Sequence, residues 1–176
     1  MDVEGQRGIV VKAHLSYVKK QWGADALKEC CGQIGMEYDG IDEDEFYSRN
    51  VENAILAWIS RNKGLEHVQR SGHHSVMNLG IYSYLIPQKN IEAIARVAEM
   101  SYVDTYNYGS IKVVSHPRDK TIFVQFVAKD RTVENCAAWL GAMQGIFDLA
   151  KVRGSVEHIR CVNKGDQLCE YRLRWR

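Results

Sequence analysis

Through the first hundred or so residues the apolar positions recur at helical spacing, and beyond Tyr108-Gly109 they recur every second residue. Residues 9–22 fit a first helix with Val10, His14, Tyr17 and Val18 on one side, and Gly23 stops it. Residues 24–34 fit a second, with Leu27, Cys30, Cys31 and Ile34 at helical spacing; the adjacent cysteines point in different directions and read as packing. The acidic run Asp39-Gly40-Ile41-Asp42-Glu43-Asp44-Glu45 lacks the ligand positions of a calcium loop and reads as a solvated turn. Ser48 or Asn50 caps a third helix through residue 59, which buries Val51, Ile55, Trp58 and Ile59. A fourth helix runs from about 65 to 79, and Ile86-Pro87 separates it from a fifth over 90–102.

The second half changes period. Two β-branched runs, 111–116 and 121–127, are joined by the turn Pro117-Arg118-Asp119-Lys120. Thr132 caps a helix to about 150 whose stripe of Cys136, Leu140, Met143, Phe147 and Ala150 should face a sheet. Gly141 and Gly145 on that helix permit close approach by another backbone, in a helix contact or a dimer. The tail reads as a second hairpin, because Cys169, Tyr171, Leu173 and Trp175 alternate with polar positions after Lys164-Gly165-Asp166. With a three-residue loop there, Asn163 pairs with Gln167 and Cys161 lies opposite Cys169. The pattern predicts one α+β domain over 1–176: helices over about 9–102, a hairpin over 111–127, a helix over 132–150 and a hairpin over 155–175, with helices largely on one side of an antiparallel sheet.

At 176 residues the chain can bury a core without a staple. Lys+Arg of 23 against Asp+Glu of 22 provides no footprint for nucleic acid. The first residues lack the charged-then-apolar run of a secretory leader, and no apolar stretch is long enough for a membrane span, so the chain reads as cytoplasmic and not membrane-bound. In that reducing compartment its five cysteines favour free thiols or a metal site over a disulfide framework. Two facing thiols at Cys161 and Cys169 are within reach of one ion or of each other; equally, they are small core residues.

The closing stretch Glu157-His158-Ile159-Arg160-Cys161-Val162-Asn163-Lys164-Gly165-Asp166-Gln167-Leu168-Cys169-Glu170-Tyr171 resembles the signature of 4-vinyl reductase-type small-molecule-binding domains. The opening, Gly8-Ile9-Val10 through Gln21-Trp22-Gly23-Ala24-Asp25-Ala26-Leu27, is similar to the first helices of that group and of haem nitric-oxide-binding-like proteins. The resemblance implies a fold shared with nitric-oxide sensors and TRAPP vesicle-tethering subunits, a homodimer, and an apolar pocket for a small hydrophobic ligand. It also implies a structural zinc on Cys136, Cys161 and Cys169, with His158 as fourth ligand by motif position. Strict strand alternation selects Glu157 instead, so His158 needs a bulge; a Cys3His set around tetrahedral zinc favours His158.

A haem is the alternative cofactor, for which His14 or His73 could supply an axial imidazole, although the Tyr-x-Ser-x-Arg propionate clamp is missing. Candidate pocket residues are Trp139, Met143, Phe147, Phe123 and Tyr102, with Trp139 and Met143 close to the metal site on the helix that carries Cys136. Tyr82 and Tyr84 belong to the same aromatic-rich middle of the chain. No phosphate loop, nucleophile elbow or acid/base pair stands out, and the chain reads as a binder rather than an enzyme. Three roles remain: a small-molecule sensor acting on a fused or separate signalling output, a haem gas sensor on the same scaffold, and an assembly subunit of the TRAPP kind.

Overall fold

The computed structural model of the protein describes residues 4–78 and 90–176. Its helical half holds α1 (Gly8–Ile34), α2 (Arg49–Lys63), α3 (Leu65–Asn78) and α4 (Ile91–Thr105). The break expected at Gly23 is a kink inside one helix: Gly23 takes φ 87°, a conformation open to glycine, and the helical path resumes beyond it. Ser48 caps α2 by accepting from the Asn50 amide, and Asn90 caps α4 by accepting from Glu92 and Ala93. The expected helix end at residue 79, the Ile86-Pro87 break, Tyr82 and Tyr84 lie outside the described residues. Two three-residue strands, β1 (Gly5–Arg7) and β2 (Phe46–Ser48), pair antiparallel and tie the start of α1 to the start of α2. They are too short to show an alternation in sequence.

The second half holds β3 (Ser110–His116), β4 (Thr121–Val127), α5 (Val133–Ala150), β5 (Gly154–Arg160) and β6 (Cys169–Trp175). The sheet order is β3-β4-β6-β5, antiparallel throughout, and the fold is α+β as the sequence predicts. Thr132 caps α5 in a reciprocal box with Asn135. The inner faces of β4 and β6 set Ile122, Val124, Phe126, Tyr171 and Leu173 against α4 and α5 in one core cluster. A second cluster joins α1, α2 and α3 through Val11, Leu15, Ile55, Leu56, Ile59 and Val68, with Ala138 of α5 completing it. Cys30 and Cys31 are buried there, and burial pushes the Cys30 thiol up to about 12. Among the described residues no helix is long and apolar enough to cross a membrane.

The two clusters meet along α3 and α5, whose backbones touch. A Cβ on Gly72 would strike the Ala138 carbonyl oxygen, and one on Gly141 would strike the Gln69 carbonyl oxygen. Gly145 faces Val76 at the same seam. The close approach expected of Gly141 and Gly145 is therefore a contact within the chain. Gly72→Ala and Gly141→Ala should each destabilise the protein by roughly 1–3 kcal/mol in denaturant unfolding, since the neighbour is backbone and cannot rotate away. Gly32→Ala, on an open face of α1, should instead stabilise by about 0.5–1 kcal/mol; a glycine seam that tolerates alanine as well as Gly32 does would contradict the packing.

Candidate metal centre and ligand pocket

Strand pairing in the tail hairpin decides which side chains converge. His158 pairs with Tyr171, but the next pair is Arg160 with Glu170, so Ile159 is an extra residue and the register shifts. A bulge of this kind reverses the face of every residue on one side of it relative to the other. It puts His158 on the inner face with Tyr171, and Cys161 still arrives inside beside Cys169. Glu157, the candidate of strict alternation, pairs with Arg172 on the outer side, where the two form an ion pair.

The loop differs from the expected three residues. Pairing ends at Arg160 and Glu170, and a 3-10 turn at Val162–Lys164 with left-handed Gly165 fills the gap, so Asn163 and Gln167 do not pair. The Asp166 carboxylate accepts from the Cys161 amide at 2.7 Å, and the Asp166 amide donates to the Cys161 carbonyl at 3.2 Å. These two bonds fix the Cys161 backbone.

Cys136 comes from the first turn of α5, held by the Thr132–Asn135 box and by the Tyr171 hydroxyl, which donates to the Cys136 carbonyl at 3.0 Å. Its sulfur lies 3.8 Å from that of Cys161 and 3.7 Å from that of Cys169. The donor atoms of Cys136, His158, Cys161 and Cys169 all lie within 4.8 Å of one another. A zinc–sulfur bond of about 2.3 Å makes the edge of a regular tetrahedron about 3.8 Å, whereas a disulfide needs about 2.05 Å. His158 stacks on Tyr171 with ring centres 4.3 Å apart, and its Nε2 is buried without a hydrogen-bond partner. An orphaned imidazole nitrogen beside three buried thiols is a donor set that fits zinc.

The electrostatics favour one thiolate shared across the Cys136–Cys169 pair. Cys169 is held well below the usual thiol range, first by its hydrogen bond with Cys136 and then by His158, the Val162 backbone and the Arg131 charge. Cys136, the other member of that bond, is pushed up by it and by burial. The side-chain amide of Asn163 also points at Cys136 Sγ, at 3.5 Å.

A separate pocket lies between α3, α4 and α5, with an empty volume of about 640 Å³ out to its open mouth. Tyr102 and Ala98 form the α4 wall, Trp139, Ala142, Met143 and Ile146 the α5 wall, and Gly72 and Val76 the α3 wall. Of the residues the sequence offers for a pocket, Tyr102, Trp139 and Met143 line this cavity. Phe147 and Phe123 do not line it: Phe147 packs against Gly154, and Phe123 points from the outer side of β4 toward His116. Trp139 and Met143 face this pocket, while Cys136 lines a surface groove with Leu140 and Cys161, so the pocket is not adjacent to the thiols through those two residues.

His14 lines the pocket, 2 % exposed, with Nδ1 at 2.8 Å from Ser71 Oγ and Nε2 at 3.5 Å from Glu52 Oε1. Its Nδ1 is thus hydrogen-bonded and its Nε2 faces a carboxylate. His73 points away and binds Asp148 at 2.6 Å. Tyr108-Gly109-Ser110-Ile111-Lys112 comes within one residue of the Tyr-x-Ser-x-Arg pattern, yet Ser110 and Lys112 are exposed on β3. Glu52 and Arg131 escaped the sequence reading. A lone acid on a helix and a cation in a polar loop look like solvated surface, and only tertiary packing buries them.

No family model matches the chain, and no curated protein does. Solved structures do match it over nearly its whole length. An H-NOX protein from S. oneidensis in the Fe(II)NO ligation state has a TM-score of 0.76 at 15% identity, covering 97% of this chain and 99% of its own. An oxygen-binding H-NOX domain related to soluble guanylate cyclases gives 0.74 at 17%, covering 97% and 95%. A third, from work on haem distortion in the H-NOX family, gives 0.72 at 15%, again covering 97% and 95%. At such identities what is shared is the fold, so the chain has the fold of H-NOX domains.

Proposed function

We propose that this protein is a non-catalytic sensor domain that holds a small hydrophobic molecule between α3, α4 and α5 and carries a structural zinc on Cys136, His158, Cys161 and Cys169. The observation that carries the reading is the pocket itself. Its walls are apolar and aromatic, and its polar groups are few. The H-NOX fold, whose solved examples include NO-ligated and oxygen-binding proteins, supports a ligand-binding role. Zinc would supply a four-coordinate link between α5 and the tail hairpin; four protein ligands leave no open position for an activated water. The wall helix α4 exposes Met100 and Val103 on its far side, a surface through which an altered pocket would bias a homodimer or a cytoplasmic output partner.

Haem-based gas sensing is the second reading, favoured by the fold likeness alone. The pocket residues do not fit haem ligation. His14 has Nδ1 bonded to Ser71 and Nε2 facing the Glu52 carboxylate, His73 is bound to Asp148 elsewhere, and α4 carries neither histidine nor cysteine. Protein made with ample haem precursor should show no Soret band; a Soret band that disappears in His14→Ala would reverse the ranking.

Metal analysis of untagged protein should find about one zinc per chain. The metal should be lost in Cys161→Ala, weakened in His158→Ala and retained in Glu157→Ala. Metal-free wild-type protein would return the three thiols to the core and leave a ligand-binding or scaffold domain. For the pocket, naphthalene should perturb tryptophan emission in the wild type through Trp139, and Ala142→Leu should abolish the response. An unchanged response in that variant would place the probe elsewhere.

A further inference from the structure

Arg131 is a buried cation that, among the described residues, forms no ion pair with a carboxylate. It is 7% exposed, its guanidinium lies 4.6 Å over the Phe126 ring, and its Nη2 reaches the Asn135 carbonyl at 3.5 Å. Its Nε is buried with no partner, and among the described residues no acid forms an ion pair with it. A guanidinium cannot escape by losing its proton, and a buried charge is costly unless something compensates it. The fold shows where compensation is to be found. Asn135, which Arg131 touches, immediately precedes Cys136, and Phe126, over which it lies, is the cross-strand partner of Cys169. Three thiolates and a neutral imidazole around a divalent ion leave one surplus negative charge.

We propose that Arg131 is a positioning residue for the metal centre, supplying the buried counter-charge that its three thiolates require. The proposal rests on the zinc reading above. It also accounts for a buried guanidinium that no carboxylate among the described residues holds. The same residue borders the ligand pocket: Tyr102 and Trp139 line both the pocket and the small cavity that holds Arg131. Trp139 lies 4.1 Å from the Phe126 ring, the ring beneath the guanidinium. A molecule against Trp139 therefore bears on the counter-ion of the metal, and by linkage the metal bears equally on the molecule.

The test is zinc competition with a chromophoric chelator on the full chain. Arg131→Met should weaken zinc binding by about tenfold or more, the usual effect of losing an outer-shell partner, and Arg131→Lys should recover most of it. Arg131→Met replaces a buried charge by an apolar side chain over Phe126, a change that folded proteins tolerate. Arg131→Gln serves as a second neutral variant. Cobalt(II) loaded into Arg131→Met should keep tetrahedral d–d intensity, showing four ligands still in place. Equal zinc affinity in wild type and both neutral variants would overturn the counter-charge and leave the zinc site standing. A wild type that takes up no zinc would overturn the metal centre and this inference together.

Discussion

The backbone contact between α3 and α5 is the constraint on which the rest of the structure depends. Gly72 and Gly141 let the two helices approach until a methyl group on either would strike a carbonyl oxygen. This seam fixes α5 in both depth and rotation. On one side Trp139, Ala142 and Met143 then face α4 across an apolar pocket, and at the first turn Cys136 meets the tail hairpin. One helix thereby holds the pocket wall and a third of the sulfur donors, and a small rotation would dissolve both.

A second, smaller constraint acts on the tail. The extra residue at Ile159 reverses the face of β5, so that His158 rather than Glu157 joins the thiols. Glu157 is left outside to pair with Arg172. The outcome is a donor set of three sulfurs and one nitrogen with edges suited to a tetrahedral ion. Burial accentuates its electrostatics, since thiols, imidazole and the Arg131 guanidinium interact where little water screens them.

The likeness to H-NOX structures and the chemistry of the pocket point in different directions. The fold is common to both, but fold and site are separable, and a pocket can keep its shape while losing the group that would grip iron. Here the imidazole nearest the cavity is tied to Ser71 and Glu52, which leaves a polar corner in an otherwise apolar space.

Periodicity and local hydrogen bonding determined the α+β order, the cap at Thr132, both hairpins and the inward face of Cys169, Tyr171 and Leu173, and narrowed the cap of α2 to Ser48 or Asn50. The tail motif also singled out the three cysteines and His158. Spacing did not reveal that Gly23 kinks a helix instead of ending it, since both outcomes use the same glycine conformation. Nor did it separate Phe147 and Phe123 from the pocket, because every apolar stripe looks alike until its partner is known. The place of the bulge at Ile159 and the burial of Glu52 and Arg131 were decided by tertiary structure alone. Each depends on contacts between segments far apart in the chain, where strand register and helix depth, rather than local preference, choose which side chain points inward.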